Sequence, residues 1–287
     1  LASKANIFIA PAMNMNMWLD ESTQDNYKIL LKRGITFIGP AEGEQACGDV
    51  GPGRMIEPDN IIELISSSFK VGVLNGMTIT ITAGPTREQI DPVRFISNNS
   101  SGKMGYSIAE AALEAGALVN LVSGPVALIA DKSINLYKIN SASEMMSAVK
   151  KCMKNSDIFI GCAAVSDYKP SDYSSKKIKK DDTENLDIEL NRNEDILAEV
   201  ALNFSSSYIV GFAAETSDVK NNAKKKLLSK NLDMIISNDV SDKSIGFDVD
   251  DNEVNIITSD KNIFLKKDKK IKIARQILKV ISNNINT

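Results

Sequence analysis

Histidine is absent from the 287 residues. The commonest general base and the commonest metal ligand are therefore missing, and a cysteine that acts here acts without an imidazole beside it. Cysteine itself is scarce. Cys47, Cys152 and Cys162 are odd in number and lack C-x-x-C spacing, which argues against a disulfide framework and a zinc site and fits a reducing cytoplasm. No apolar run approaches the ~20 residues that span a bilayer, so no membrane partner is expected. The net charge of −3 gives no basis for a nucleic-acid partner. Two nucleotide fingerprints are also missing. There is no G-x-G-x-x-G, and "SGKM" is not a Walker A loop, because Met104 stands where a Ser or Thr hydroxyl would meet magnesium.

The length lies at the upper end for one domain, so two domains or parts of domains are expected. "ANIFIAPAM" reads as a strand ending at Pro11. A domain rarely begins on a central strand, so residues upstream of Leu1 are expected. Apolar spacing at Tyr27, Leu30 and Leu31 predicts a helix from about Thr23 to Lys32, closed by Gly34. "ITFIGP" is a second strand, 41–56 a loop rich in glycine and proline, and "PDNIIELISSSF" a helix with Pro58 near its start. Residues 1–68 thus read as the tail of an α/β layer, and 69–76 as a linker.

From Met77 the pattern restarts. "MTITITAG" is a strand that enters a long polar loop, and a loop of that length is usually functional. A helix follows with Met104, Ile108, Ala111, Ala112 and Ala115 on one face, and then the strands "ALVNLVSGP" and "INLYKIN". Ser141 and Glu144 form a capping box that opens a helix with Met145, Val149 and Cys152 on its apolar face. "IFIGCAA" is a buried strand, and the polar, lysine-rich residues 166–187 read as flexible. "NEDILAEVAL" is a helix, "YIVGFAAE" a strand, 218–230 a basic helix and "MIISND" a strand. A hairpin around "SDKN" and an amphipathic helix close the chain. Strands alternating with helices predict an α/β fold, a Rossmann-like and mainly parallel sheet over 77–287. Ligands bind such sheets beyond the carboxyl ends of the strands, where the polar segments after Gly84, Ala164, Glu215 and Asp239 converge.

Each candidate residue has a plain alternative. The loop after Gly84 collects Arg87, Arg94, Lys103 and a helix start whose N–H groups suit a phosphate or carboxylate; the alternative is a capped surface loop. Gly161, Ala163 and Ala164 would let a flat ring approach the backbone, and Asp167 could accept hydrogen bonds from a base or ribose; the alternative is a strand-end turn. Lys176, Lys177, Lys179 and Lys180 read first as a solvated charge run, and second as a lid that brings a lysine onto phosphate oxygens. Lys226 and Lys230 share a helix face, solvated by default. Asn14 in "PAMNMNMW" could hold a carboxylate or amide, or the stretch could be core. Cys47 in "QACGDVGPGRM" has no visible base or charge partner and reads as an inert loop residue.

"PAMNMNMW", "QACGDVGPGRM", "AGPTREQIDPVRFISNNSSGKMG", "GCAAVSDY", "KIKK", "GFAAET" and "KNLDMIISNDV" together resemble the bacterial bifunctional coenzyme A biosynthesis proteins. These join phosphopantothenoylcysteine decarboxylase to phosphopantothenate–cysteine ligase. The resemblance runs in order over nearly the whole chain. It implies that 1–68 are the C-terminal part of an α/β flavoprotein domain, incomplete here, and that 77–287 are a ligase domain. In that family the ligase activates 4′-phosphopantothenate with CTP and Mg2+ as an acyl-cytidylate, which the amine of L-cysteine then attacks. The decarboxylase uses FMN to convert the product to 4′-phosphopantetheine.

By motif, the resemblance implies that Asn98 and Arg94 serve the acyl centre and that Lys177 is the lysine of the mobile loop. Gly161, Cys162, Ala163 and Asp167 match the cytidine site, and Phe212, Lys226 and Lys230 match further CTP contacts. Asp195 follows Glu194, where the family has proline, so the backbone there departs from the pattern. Asn14 matches the asparagine that holds the decarboxylase substrate's carboxylate. Cys47 matches a proton donor, a role in which a protonated thiol needs no base. The family's catalytic histidine and most of its flavin-phosphate loop have no counterpart. The resemblance suggests ligase dimers and decarboxylase trimers, and implies a homo-oligomer in the cytoplasm. Two other classes stay open: a remnant that binds nucleotide without turnover, and a dinucleotide-dependent oxidoreductase, which the missing G-x-G-x-x-G counts against.

Overall fold

The computed structural model describes residues 5–45, 48–68, 72–179, 186–215, 219–239 and 249–285. Cys47 lies outside them, as do Lys180 and part of the lysine-rich stretch. The chain divides into two compact units, Leu1–Lys70 and Val71–Thr287. No helix among the described residues is long and apolar enough to cross a membrane.

In the smaller unit β1 (Phe8–Ile9) pairs in parallel with β2 (Thr36–Phe37), across α1 (Met15–Leu19) and α2 (Glu21–Lys32). The stretch 41–56, read as a loop, contains an antiparallel hairpin of β3 (Ala41–Glu44) and β4 (Val50–Arg54) instead. Pro52 does not forbid it, because a two-stranded ribbon leaves half of its N–H groups pointing outward. The hairpin glycines let it lie on the start of α1. A Cβ at Gly53 would stand 2.3 Å from the carbonyl oxygen of Met13, and the Met13 N–H donates to the Gly53 oxygen at 2.9 Å. The helix α3 (Pro58–Ser68) starts at its proline.

The larger unit is built on an eight-stranded sheet. The turn at 72–76 belongs to it: Leu74 is buried in its core and its N–H donates to the Ala115 carbonyl at 3.0 Å. Only part of the stretch read as a linker therefore connects the units. β5 (Thr78–Ala83) is followed by a short hairpin, β6 (Arg87–Gln89) and β7 (Phe95–Ser97), inside the long polar loop. Then come α4 (Lys103–Glu114), β8 (Leu118–Ser123), β9 (Asn135–Lys138), α5 (Ala142–Met153) and β10 (Ile158–Gly161). β11 (Tyr168–Pro170), inside the segment that composition marks as flexible, pairs antiparallel with β12 (Leu190–Arg192) just beyond it. Polar composition reports solvation, and here the backbone ladder supplies the order. α6 (Ile196–Asn203), β13 (Tyr208–Glu215), α7 (Val219–Ser229), β14 (Met234–Asp239), β15 (Asp251–Ile257), β16 (Asn262–Lys269) and α8 (Lys270–Ile285) complete the unit.

The sheet order is β16-β15-β14-β13-β10-β5-β8-β9. The strands from β9 to β14 run parallel, and β15 and β16 add antiparallel at one edge. The parallel part has the doubly wound order, in which the chain winds outward one way from β5 and returns to wind the other way from β10. Ile79, Ile81 and Ala83 of β5 face the core layer that includes Ile108 of α4 and Ile277 of α8. Val149 of α5, Val200 of α6 and Leu227 of α7 cover the other side. Thr80 and Thr82 of β5 alternate with those isoleucines yet are buried too, and their hydroxyls carry bonds: Thr80 Oγ1 lies 2.6 Å from Ser156 Oγ.

The start of α5 is capped twice. Ser141 Oγ accepts from the Glu144 N–H at 3.2 Å, while Glu144 reaches back to the Asn140 N–H at 2.8 Å. From the β6–β7 hairpin, buried Glu88 accepts from the Ala142 N–H at 2.9 Å. Glu88→Ala would leave that donor buried and unpaired, at a cost of about 1–2 kcal/mol. Urea midpoints are expected to fall for Glu88→Ala and to recover largely in Glu88→Gln, which keeps an acceptor.

Candidate functional site

A cavity of about 970 Å³ opens where the strand order reverses, beyond the carboxyl ends of β5 and β10. Its floor is made by closely stacked backbone. Ala164 N–H donates to Gly84 O at 2.9 Å, and Pro85 bridges to Ala164 in parallel register. Thr82 Oγ1 accepts from the N–H groups of both Cys162 and Ala163, at 3.2 Å each. Those two donors, matched by motif to a nucleotide site, are therefore engaged with the protein, and the segment offers a flat surface of small side chains. Burial pushes the Cys162 thiol up to about 12, against the nearby Lys270 ammonium, so it stays protonated at neutral pH.

One wall is the start of α4. Gly102 is its N-cap in the left-handed region (φ 76°), which suits a residue without Cβ, and it offers no side-chain cap. Lys103 stands there with its ammonium 2.9 Å from Asp250. The opposite wall carries Asp195, Lys226 and Lys230. Asp195 caps α6 by accepting from the Ala198 N–H at 3.0 Å and pairs with Lys230 at 2.6 Å. Glu194 in place of a proline thus leaves an ordinary helix cap. Burial would raise the Asp195 carboxyl, but Lys230 and the N–H groups of Ala198 and Leu197 outweigh it and hold it below the ordinary value. A lowered carboxyl adds stability above its unfolded pKa, about 3.9, and loses it as pH falls through the folded pKa. Asp195→Asn keeps the cap and removes the charge. Its urea midpoint should trail wild type by a constant amount above about pH 5, and the gap should close below about pH 4. A gap independent of pH would contradict the ion-pair origin.

The cavity wall brings together Asn98, Gly161, Cys162, Ala163, Asp167, Asp195, Phe212, Lys226 and Lys230. Asn98 donates from Nδ2 to the Val165 carbonyl at 2.8 Å, which orients its amide over the strand-end segment. Asp167 is set by Asn193, whose N–H donates to Asp167 O and whose Nδ2 donates to Ser166 O, both at 2.9 Å. Arg94 and Lys177 are not part of the wall. They stand on two loops joined beside Lys177, where Arg94 Nη2 donates to the carbonyl of the next residue, Ile178, at 2.8 Å.

Asn14 belongs to the smaller unit. Its side chain caps α1 through the Asn16 N–H at 2.8 Å and donates to Asp49 at 3.3 Å. It thereby meets Asp49, just before β4; Cys47 lies outside the described residues.

Sequence reasoning passed over Asn193, Asn252 and Lys270, all in the cavity wall. Lys270 was legible. It falls on the spacing of Ile273, Ala274, Ile277 and Leu278 along α8, so a cation stands on a buried stripe and is only 6% exposed. Asn193 and Asn252 carry no such pattern. Among the described residues no group of three His, Cys, Asp or Glu side chains is placed to hold a metal ion.

Comparison with known proteins gives a consistent result. Residues 74–285 match the family "DNA/pantothenate metabolism flavoprotein C-terminal domain", and residues 1–70 match "Flavoprotein". The coenzyme A biosynthesis bifunctional protein CoaBC of Vibrio vulnificus (strain CMCP6) is 46% identical over 283 residues, covering 98% of this chain and 71% of that protein. The CoaBC protein of Escherichia coli (strain K12) is 44% identical over 282 residues, covering 97% and 70%. A crystal structure of the C-terminal domain of a CoaBC protein superposes with a TM-score of 0.64 at 41% identity, over 75% of this chain and 98% of that one. The DNA/pantothenate metabolism flavoprotein of Streptococcus pneumoniae shares the fold, with a TM-score of 0.63 at 23% identity over 73% and 100%.

Proposed function

Because the chain belongs to the CoaBC family of bifunctional coenzyme A biosynthesis proteins, we propose that its larger unit ligates 4′-phosphopantothenate to L-cysteine with CTP. The observation that carries this reading is the cavity at the strand-order reversal, whose walls combine a flat floor, lysines on both sides and the oriented amide of Asn98. The substrate carboxylate attacks the α-phosphorus of CTP, giving an acyl-cytidylate and pyrophosphate. The cysteine amine then attacks the acyl carbon, forms the amide and releases CMP.

In this reading the surface of Gly161, Cys162 and Ala163 takes the base with Phe212, and Asp167 accepts hydrogen bonds from base or ribose. Lys103, Lys226 and Lys230 carry the charge of the triphosphate. Magnesium enters with the nucleotide, on its phosphate oxygens. Asn98 stabilises charge developing at the acyl centre, with Arg94 and Lys177 reaching it from their loops.

The smaller unit belongs to the FMN-dependent decarboxylase half, to which Asn14 and Cys47 contribute a carboxylate contact and a proton donor. Its cavity, about 570 Å³ and lined by Glu42, Arg54, Met55 and Leu64, does not include Asn14. No glycine-rich phosphate loop lines that cavity among the described residues. We place the enzyme in the cytoplasm as a homo-oligomer, a ligase dimer; sedimentation that finds only monomer at micromolar concentration would remove that part.

The test supplies purified chain with 4′-phosphopantothenate, L-cysteine, CTP and Mg2+ and measures pyrophosphate. Multiple-turnover release that depends on all four is expected, with no more than one pyrophosphate per site when L-cysteine is left out. No release under any condition overturns the ligase reading, and faster turnover with ATP overturns the nucleotide alone.

A further inference from the structure

Asp91 lies in the surface loop between β6 and β7, yet its side chain has no exposed area. Two loops converge on its carboxylate. Oδ1 accepts from the N–H groups of Val93 at 2.7 Å and Arg94 at 2.8 Å, the pattern of an Asx turn. Oδ2 accepts from the Ile178 N–H at 3.1 Å and lies 3.5 Å from the Arg94 guanidinium. Arg94 in turn donates to the Ile178 carbonyl. Both backbone polar groups of Ile178 are thus held, one by a carboxylate and the other by that carboxylate's ion partner. A third tie runs from the Ser174 N–H to the Ile90 carbonyl at 3.0 Å. Burial pushes the Asp91 carboxyl up, but its N–H donors and Arg94 together hold it below the ordinary value.

Ile178 stands directly after Lys177. We propose that Asp91 is a positioning residue of the ligase reaction, tying the Arg94 loop to the Lys177 segment so that the two cations present themselves to the anionic substrates as one unit. This rests on the proposed function, in which Arg94 and Lys177 both act on the acyl centre. A local turn needs only Oδ1. The second oxygen is committed to a segment 87 residues away, and a buried charge there is stable only while its partners stay in place.

Asp91→Asn separates the two roles. The amide oxygen keeps the Asx turn, while its NH₂ faces the Ile178 N–H donor to donor and Arg94 loses its charge partner. Asp91→Ser, which keeps a turn acceptor and has no second oxygen, repeats the cut if the first variant folds poorly. With full-length protein, kcat for pyrophosphate release should fall at least tenfold in both. CTP affinity by calorimetry should stay within about twofold, and trypsin should cleave between Lys176 and Lys179 faster than in wild type.

Wild-type kcat in both variants overturns the proposal. Equal losses of kcat, CTP affinity and cooperative unfolding also overturn it, by making Asp91 a general folding residue. An inactive wild-type enzyme sinks the ligase reading instead, and the trypsin comparison then still decides whether the tie exists.

Discussion

Asn98→Asp is expected to lower kcat for ligation about 10²- to 10³-fold, a loss of roughly 3–4 kcal/mol of transition-state stabilisation. The wild-type amide donates to the Val165 carbonyl. A carboxylate of the same shape has no proton to donate, so two oxygens face each other and the side chain must leave its place. In the proposed reaction it also brings a negative charge to a centre where charge develops during acyl transfer, which a neutral amide does not. The lysines at the start of α4 and on α7 are untouched. CTP affinity should therefore change no more than a few-fold. Pyrophosphate kinetics at saturating CTP, with calorimetry for the nucleotide, separate these outcomes. Loss of CTP binding would move Asn98 to the nucleotide side of the cavity, and wild-type turnover would remove it from the acyl centre.

The two carboxylates that organise the site loops show where sequence reading stops. "IDPVR" is readable as an Asx turn, because Asp before proline caps the next N–H groups whatever the fold does. That the same Asp91 also binds Ile178 depends on the path of two loops that share no periodicity. Glu88 is similar: β6 alternates too briefly to mark a buried carboxylate, and its partner Ala142 lies 54 residues away. The sheet was more legible. Helix and strand alternation carries the parallel order, since crossover connections allow few arrangements, and the site follows from where that order reverses.

Strand alternation misleads in one place. The Ile–Thr pattern of β5 would ordinarily mark one face as wet. Helices cover both faces, and the buried hydroxyls are satisfied within the protein: that of Thr82 serves the strand-end backbone of Cys162 and Ala163. The smaller unit's hairpin was missed for a related reason. Glycine and proline mark chain turns, but at β4 the glycines mark where a hairpin must lie against backbone.

Gly124→Ala should be the most destabilising single substitution at the site, by about 3 kcal/mol, near the upper end for overpacking. Gly124 follows β8, and its N–H donates to the Ala83 carbonyl at 2.9 Å. A Cβ there would stand 1.7 Å from the carbonyl oxygen of Pro85 and 2.8 Å from its carbon. Both are backbone atoms, so no side chain can swing aside. Nor is the strain one of dihedral angle, because Gly124 is not among the glycines with positive φ. Gly76→Ala gives the complementary control: its φ is +79° and a Cβ would meet nothing within 4 Å. That variant carries only the left-handed penalty of about 1–2 kcal/mol. Relief at Gly124 must come from moving the Gly84–Pro85 turn, which holds Ala164 and with it the floor of the cavity. Urea unfolding should therefore rank Gly124→Ala below Gly76→Ala, and only Gly124→Ala should also weaken CTP binding. If Gly124→Ala proves as stable as wild type and binds CTP equally well, the strand-end backbone is looser than its stacking implies, and the floor is not what shapes the site.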